Sequence, residues 1–372
     1  SFTYDPSVEL LWCTLHVGAR LVVGKPDAVT DMAYLARLFG ENGITFTDMS
    51  PSLLDVYIKL AGPTALPSSL RVLHAGGEAM PLKLATYMHD AHPSVELWNA
   101  YGPTEVTVNS HMYCIKIDAN DRPNYGHSIP IGPNMPHTTG FVVDESLHTV
   151  PIGVAGELYI GGPKVARGYI GRQDLTDGSF AALSTLPASA GRVYKSGDRV
   201  RWLRSGHIDF LGRVDFQIKL NGQRIEAGEI EEVIRKSPGV RDVLVVLCKS
   251  PDRLVGYVLP ETVQPSAVAE ACRVALPAYM VPSMIVPLPE WPLGSSGKLD
   301  RKQLPAPTME VQSTMASQPS NATEAAVAEV CSRVLRVPMS QLGRDTSLSQ
   351  LGLTSLQAAM IVNKLRAVPG AK

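Results

Sequence analysis

The sequence has little charge imbalance and no long apolar run. Thirty-four Lys and Arg residues stand against 35 Asp and Glu residues, which gives a formal net charge of −1 over 372 residues. A broad basic surface for nucleic acid or for an anionic membrane is therefore excluded. Apolar runs such as 243–247 and 284–288 are far shorter than the roughly 20 residues that cross a bilayer. Partners must be recognised by local sites.

The sequence also lacks paired cysteines and a targeting segment. Its five cysteines are scattered without a CxxC pair or nearby His at metal-ligand spacing: Cys13, Cys114, Cys248, Cys272 and Cys331. This pattern favours reduced, structural thiols and a cytoplasmic location. Residues 1–6 contain no initiator Met, basic stretch or apolar signal core. They indicate interior sequence of a larger protein.

What is present is a composition that can form a core. Hydrophobic residues make up 45% of the chain and charged residues 19%, and the length predicts two or more domains. Strand and helix patterns alternate up to residue 98, which predicts parallel α/β structure. Short strands separated by Gly and Pro from about residue 141 predict a small β-barrel-like portion.

The second half of the chain predicts another α/β unit and then a helical module. A helix is predicted over 230–236 and a buried strand over 243–247. Residues 306–320 are rich in Pro, Ser, Thr and Gln, which favours a flexible linker. A helix over 324–335 and a second helix starting near Thr354 complete the pattern.

The most specific motif is Asn99-Ala100-Tyr101-Gly102-Pro103-Thr104-Glu105, predicted to lie directly after a strand. Six further segments accompany it in order: 4–8 (YDPSV), 156–169 (GELYIGGPKVARGY), 194–198 (YKSGD), 212–231, 276–282 (LPAYMVP) and 297–301 (GKLDR). Over residues 1–305 the chain resembles the adenylation domain of nonribosomal peptide synthetases, in the ANL adenylate-forming superfamily. A partial peptidyl carrier domain follows.

The resemblance implies a fold and a set of boundaries. Residues 1–214 would form the C-terminal part of the large adenylation subdomain, and 215–305 a small mobile α+β subdomain with its hinge at Asp215. Residues 306–320 would be a linker, and 321–372 an incomplete all-α carrier bundle. The hinge would withdraw Lys298 after adenylation and present the loop near 219–222 to a thiol. Local sequence at Asp215 alone indicates only a turn.

The resemblance also assigns the ATP site. Tyr101 would stack on adenine, Asn99 would hydrogen-bond it, and Thr104 would contact the α-phosphate beside Gly102. Glu105 would hold Mg²⁺, a hard cation that prefers carboxylate oxygen. Asp198 and Arg213 would bind the ribose side. The alternative is a simple Gly-Pro turn with Glu105 in solvent.

Two residues would act directly on the acyl group. Lys298 would bridge the substrate carboxylate and the adenylate oxygens, together with Thr104 and Glu105. Its Gly-Ser loop lacks the spacing of a phosphate-binding P-loop, and a lone Lys there is otherwise a solvated surface residue. Ser355, at a helix start, would carry 4′-phosphopantetheine; the alternative is a helix-capping Ser. A phosphopantetheinyl transferase and condensation or other synthetase domains would be partners.

The substrate pocket assigned by resemblance contains ten residues: Asp5, Pro6, Glu9, Asp48, Leu73, Ala75, Ala100, Val108, Asn109 and Lys298. Asp5 would pair with the α-ammonium of an amino acid. Glu9 and Asp48 add two carboxylates, which favours a cationic side chain such as that of ornithine or lysine. Alternatively these acids point to water or to each other in protonated form.

The predicted function is ATP-dependent amino acid adenylation followed by thioester formation on Ser355. The family's phosphate-gripping loop lies upstream of the segment at which this chain starts, so we expect the chain alone to be inactive. An adenylation-carrier reductase resembling aminoadipate reductase shares these motifs. A non-catalytic adenylation-like scaffold is the alternative of another class.

Overall fold

The computed structural model divides the chain into two compact units. They comprise Ser1–Val29 with Ala33–Asp215, and Thr30–Met32 with Phe216–Lys372. The structure describes residues 4–26, 28–62, 66–117, 129–214, 217–220, 223–248, 252–293, 299–306, 319–335, 337–344, 346, 348, 353 and 355–365. The domain boundaries predicted at residues 214, 305 and 320 remain predictions.

The first unit begins with an α/β layer. Its helices are α1 (Pro6–His16), α2 (Met32–Glu41), α3 (Pro51–Ala61) and α4 (Leu82–Ala91), and its strands are β1 (Phe46–Met49), β2 (Val72–Gly76), β3 (Glu96–Tyr101) and β4 (His111–Cys114). The sheet order is β1-β2-β3-β4. The first three strands are parallel and β4 is antiparallel to β3.

Local sequence explains where α3 starts and stops. Ser50 has extended backbone, and its side chain accepts a hydrogen bond from Leu53 N, with Pro51 in the first helical turn. Both features are preferred at helix N-termini. The helix ends at Gly62, which has φ 89°, a conformation that glycine adopts without steric cost.

The register of the parallel strands decides which side chains share a face. Asp48 pairs with His74 and His74 with Trp98, and the next row joins Met49, Ala75 and Asn99. Since successive side chains in a strand point to opposite faces, the two rows lie on opposite sides of the sheet. This alternation places the residues of the pocket described below.

The β-rich portion, which the sequence predicts to be barrel-like, is a five-stranded antiparallel sheet. Its elements are β5 (Thr139–Val143), β6 (Gly156–Gly161), α5 (Gln173–Ser179), β7 (Phe180–Ala182), β8 (Arg192–Trp202) and β9 (Ile208–Arg213). The order is β5-β6-β8-β7, with β9 paired to β8. Leu158, Ile160 and Val200 are fully buried in its core, which Tyr101 and Val106 also join. The sheet therefore packs against the loop that follows β3.

The second unit contains a small α+β part. Its elements are β10 (Ile218–Leu220), β11 (Gln223–Ile225), α6 (Ala227–Arg235), β12 (Asp242–Cys248), β13 (Arg253–Leu259), α7 (Pro265–Ala275) and β14 (Met284–Pro287). Strand β13 is antiparallel to β12 and parallel to β14. Ile230, Ile234 and Cys272 are fully buried in one core between the helices and the sheet.

The last described helices of the second unit are α8 (Ala322–Leu335) and α9 (Ser355–Leu365). Cys331, Val334 and Leu335 pack with Ile361 in a separate small core. Within the described residues, no helix is long and apolar enough to cross a membrane.

Two differences from the sequence prediction concern the bounds and the number of elements. Asn99–Tyr101 lie inside β3 rather than after a strand, because the pairing of β3 with its neighbouring strands continues through them. Helices α1, α3 and α7 were not predicted, since each begins with a Pro that also favours a turn. The predicted helices near 324 and 354 are confirmed as α8 and α9.

Candidate active site

The loop after β3 is held by close backbone contacts. A Cβ added at Gly102 would lie 2.0 Å from Val108 O, so glycine alone allows this approach. A short 3-10 helix spans Thr104–Val106. Thr107 and Val108 then have φ 57° and 66°, a left-handed region that β-branched residues rarely adopt. The loop is strained and depends on the contacts that surround it.

Tyr101, Asp198 and Arg213 form one buried polar group. The Tyr101 hydroxyl donates to Asp198 Oδ2, and Arg213 Nη1 donates to Asp198 Oδ1 at 3.0 Å. Burial, and then the charge of Asp198, raise the pKa of Tyr101 well above its usual range, so the phenol remains a donor. The structure thus brings together three of the residues predicted to bind ATP.

Asn99 lies beside this group with its side chain almost fully buried. Its amide nitrogen donates to Ile129 O at 3.1 Å and to Pro130 O at 2.8 Å. A side-chain amide has two N–H donors, and both are used. Any contact of the Asn99 side chain with a bound purine would therefore be made by its oxygen.

Glu105 is the buried carboxylate of the loop, 6% exposed. The Tyr169 hydroxyl donates to Glu105 Oε1 at 2.6 Å, and Ala166 N donates to Glu105 O at 2.8 Å. The described residues contain no cluster of three potential His, Cys, Asp or Glu metal ligands. Mg²⁺ in nucleotide sites uses one or two carboxylates together with phosphates and waters. A single oriented carboxylate fits that use.

Asp5 stands at the start of α1 with one oxygen unsatisfied. Its Oδ2 is buried and has no hydrogen-bond partner among the described residues. Burial raises the pKa of Asp5, the nearby Glu105 adds to that rise, and a hydrogen bond from Thr104 opposes it. A buried oxygen without a partner is costly. A hydrogen-bond donor placed at this oxygen would remove that cost.

Glu9 lies one turn further along α1 and is already engaged. Asn109 Nδ2 donates to Glu9 Oε2 at 2.7 Å. His74 Nδ1 lies 3.4 Å from Glu9 Oε1, an ion-pair distance when the imidazole is protonated. Asn109 is thus tied to α1, as expected if the two residues share a pocket.

Asp48 and His74 are neighbours in the sheet and face the same side. The pKa of Asp48 is raised to about 7, chiefly by burial; His74 opposes this rise, and Glu9 and Asp5 add to it. Ala100 is on this face too, because it pairs with Gly76 in the register that joins β2 and β3. This face is therefore lined by Asp48, His74, Gly76 and Ala100.

Two predicted pocket residues lie on the other face. Leu73 and Ala75 are fully buried, at 0% exposure, in rows that alternate with the row of Asp48. Their assignment to the pocket is offset by one residue, because a period-two strand reverses every side chain when its register moves by one. His74 and Gly76 take their places.

Other predicted residues are placed only in part. Pro6 occupies the first position of α1, and Val108 and Asn109 follow the 3-10 helix. Ser355 is the first residue of α9. Lys298 and Asp215 lie outside the described residues.

Sequence-based prediction missed four residues of this region: His74, Gly76, Lys164 and Tyr169. Strand alternation from Asp48 could have indicated the first two, once the pairing of β1 with β2 was known. Lys164 and Tyr169 belong to the motif 156–169, but their contacts with the loop after β3 are long-range. No local pattern reveals them.

Family models match three consecutive parts of the chain. An AMP-binding enzyme model matches residues 2–170, an AMP-binding enzyme C-terminal domain model 229–298, and a phosphopantetheine attachment site model 325–368. Phosphinothricin tripeptide synthetase PhsB of Streptomyces viridochromogenes is 38% identical over 374 residues, covering 97% of this chain and 30% of that protein. The chain belongs to the nonribosomal peptide synthetase family of AMP-binding enzymes.

Other synthetases and solved structures agree with this family. Malpibaldin synthetase of Mortierella alpina is 36% identical over 98% of this chain and 7% of its own length. A holo synthetase protein with adenylation and PCP domains, bound to a vinylsulfonamide inhibitor, has a TM-score of 0.72 and 26% identity over 91% of this chain and 55% of its own. The chain spans 7% to 30% of the length of the two curated relatives named here.

The family membership confirms the predicted fold class and the predicted cofactors. The chain has the adenylation fold of adenylate-forming enzymes followed by a carrier region. The AMP-binding model implies ATP with Mg²⁺, and the attachment-site model implies 4′-phosphopantetheine.

We expect Gly102→Ala to displace the loop after β3. The added methyl group would overlap Val108 O and lie 2.7 Å from Asn109 Cα, and overpacking of this kind costs about 1–3 kcal/mol. Urea unfolding measures the loss. Gly178→Ala is the control, since it lies in α5 with open space around its Cβ. Equal stability changes in both variants would contradict the close approach.

We expect Asp48→Asn to remove part of the pH dependence of stability. The folded-state pKa of about 7 lies above the ordinary value of 3.8, so the contribution of Asp48 to stability is present below the unfolded pKa and is lost as pH rises through 7. Asp48→Asn should therefore raise the melting temperature at pH 8 more than at pH 5. Asp55→Asn, on the exposed side of α3, serves as control. An equal gain at both pH values would contradict the raised pKa.

Proposed function

We propose that this protein activates an amino acid with ATP and transfers it as a thioester to phosphopantetheine on Ser355. The single observation that carries the amino acid assignment is the unpartnered, buried Asp5 Oδ2. An α-ammonium group would supply the missing donor and the compensating charge. Its hydrogen bond to Thr104 connects Asp5 with the loop that we propose contacts phosphate.

The two half-reactions follow the chemistry of acyl transfer. An oxygen of the substrate carboxylate attacks the α-phosphorus of ATP, and pyrophosphate leaves. The thiolate of the carrier arm then attacks the acyl carbon, and AMP leaves. Asp198 and Arg213 would hold the ribose, Asn99 and Tyr101 the base, and Thr104 the α-phosphate, so that the reacting atoms meet in line.

Glu105, through the Mg²⁺ that it would hold, and Lys298 would stabilise the negative charge that develops on the phosphates during the reaction. Glu105 is held by the Tyr169 hydroxyl at 2.6 Å, which fixes the direction of its carboxylate. When bound, Mg²⁺ would offset negative charge on the phosphates as pyrophosphate leaves. Lys298 would stabilise the same transition state from its own loop, and Asp215 would act as the hinge between the half-reactions.

We further propose that the substrate has a cationic side chain, as ornithine and lysine have. Asp48 and Glu9 face the same pocket, and Asn109 adds a polar contact. A cation beside Asp48 would stabilise its charged form, which burial disfavours in its absence. The proposal includes a cytoplasmic location, where ATP and reduced thiols are available; the described cysteines are free.

Amino-acid-dependent exchange of pyrophosphate into ATP tests activation and selectivity together. In the full-length protein, we expect kcat/KM for lysine or ornithine to exceed that for norleucine or norvaline by at least about tenfold, since Asp48 is otherwise left unpaired. Asp48→Asn should reduce the ratio of kcat/KM for the cationic amino acids to kcat/KM for the apolar ones, and Asp55→Asn should leave this ratio unchanged.

Equal or better turnover of the apolar amino acids would refute the cationic substrate. Exchange with other amino acids would still support activation. An absence of exchange with every amino acid would instead support a non-catalytic scaffold.

Modification of Ser355 is tested separately by mass spectrometry. Incubation with coenzyme A and a phosphopantetheinyl transferase should add one phosphopantetheine to the protein, and Ser355→Ala should abolish that gain while exchange activity persists. Ser332→Ala, on α8, is the control and should retain the gain. A mass increase that is still observed in the Ser355→Ala protein would place the attachment site at another residue.

A further inference from the structure

Lys164 joins the motif 156–169 to the strained loop after β3. Its ammonium group donates to Asn109 O, and its own carbonyl accepts from Thr107 Oγ1 at 2.8 Å. Two residues further on, Ala166 N donates to Glu105 O at 2.8 Å. Residues 164–166 therefore run along 105–109 and restrain that loop at three points.

This restraint acts where the backbone is least favourable. Thr107 and Val108 both have positive φ, and each such residue needs surrounding contacts to persist. Lys164 bonds the residues on either side of Val108, through Thr107 Oγ1 and Asn109 O. It therefore fixes the two pocket residues, Val108 and Asn109, from outside the pocket.

Lys164 also brings a positive charge close to Glu9. The group is half-buried; burial lowers its pKa and the Glu9 carboxylate opposes that change. Glu9 in turn accepts from Asn109 Nδ2 at 2.7 Å and lies 3.4 Å from His74. A continuous series of contacts runs from Lys164 through Asn109 and Glu9 to His74, which is the neighbour of Asp48.

Glu9 and Asp48, the two carboxylates proposed to lie near the side chain of the substrate, therefore have different surroundings. Glu9 has an internal donor and a nearby internal cation, so its charge is compensated within the protein. Asp48 is the neighbour of His74 in the sheet. Burial disfavours the charged form of Asp48, as do Glu9 and Asp5, whereas His74 favours it. The charge that a substrate must supply is therefore the one beside Asp48.

We propose that Lys164 is a positioning residue that sets side-chain selectivity, because it offsets the charge of Glu9 and leaves Asp48 to select the substrate. The inference rests on the proposed amino acid activation. Compensation of Glu9 by Lys164 would explain how a pocket that contains both Glu9 and Asp48 accepts a substrate with a single cationic group. Substrates with a single terminal ammonium group, at a length that reaches Asp48, are the class that fits.

Three variants of the full-length protein separate charge from hydrogen bonding. Lys164→Gln keeps a donor for Asn109 O without the charge, and Lys164→Arg keeps both. Glu9→Gln removes the charge that Lys164 offsets while keeping an acceptor for Asn109. The readout is the ratio of kcat/KM for lysine to that for norleucine in pyrophosphate exchange.

If Lys164 offsets Glu9, Lys164→Gln should raise this ratio by about tenfold, since a second carboxylate then attracts the cationic side chain. Lys164→Arg should leave the ratio near that of the unmodified protein. Adding Glu9→Gln to the Lys164→Gln protein should return the ratio to that of the unmodified protein. A ratio unchanged by Lys164→Gln, or unaffected by the added Glu9→Gln, would overturn the proposal.

A stability cycle gives a readout that does not depend on activity. Glu9→Gln should raise the melting temperature of the Lys164→Gln protein more than that of the unmodified protein, because it removes an uncompensated charge. Additive changes would overturn the pairing of Lys164 with Glu9. If the unmodified protein exchanges no amino acid while the cycle shows coupling, the proposed function fails and the pairing stands.

Discussion

Three carboxyl groups, those of Asp5, Glu9 and Asp48, lie near one another at the start of α1 and the end of β1, where burial and then Glu9 and Asp5 raise the pKa of Asp48. Uncompensated negative charge of this density opposes folding unless donors and cations are placed against it. The chain supplies Asn109 and His74 to Glu9 and Thr104 to Asp5. One oxygen of Asp5 remains without a partner among the described residues. The arrangement is therefore only partly balanced by the protein, and the positively charged ligand that we propose would complete it.

The backbone around these groups is held by close packing rather than by regular secondary structure. Gly102 permits contact with Val108 O, and the motif 156–169 holds residues 105–109 through Lys164, Ala166 and Tyr169. A loop fixed at several points can keep two residues at positive φ. Since packed interiors do not deform continuously, the proposed pocket would present fixed polar atoms, and its selectivity would depend more on charge than on adaptation of shape.

Sequence motifs were sufficient for the class of fold and for the residues on single segments. Asn99, Tyr101, Asp198 and Arg213 each belong to a contiguous motif, and the structure joins Tyr101, Asp198 and Arg213 in one hydrogen-bonded group. The assignments of Leu73 and Ala75 differ from the structure because they depend on strand register, which a motif does not contain. An offset of one residue exchanges the two faces of a strand. Lys164 was missed for a related reason, since its role arises only where two distant segments run side by side.

Strand register and charge together explain why His74 matters. Because His74 shares a row with Asp48 and also approaches Glu9 Oε1, its imidazole lies between two carboxylates with different surroundings. In the proposed pocket, Asn109 and Lys164 already compensate Glu9, whereas His74 is the group that favours the charged form of Asp48. A substrate ammonium group beside Asp48 would act on that carboxyl group in the same direction as His74 does. The proposed selectivity would therefore depend on the residual charge of Asp48, which the sheet neighbour His74 offsets only in part.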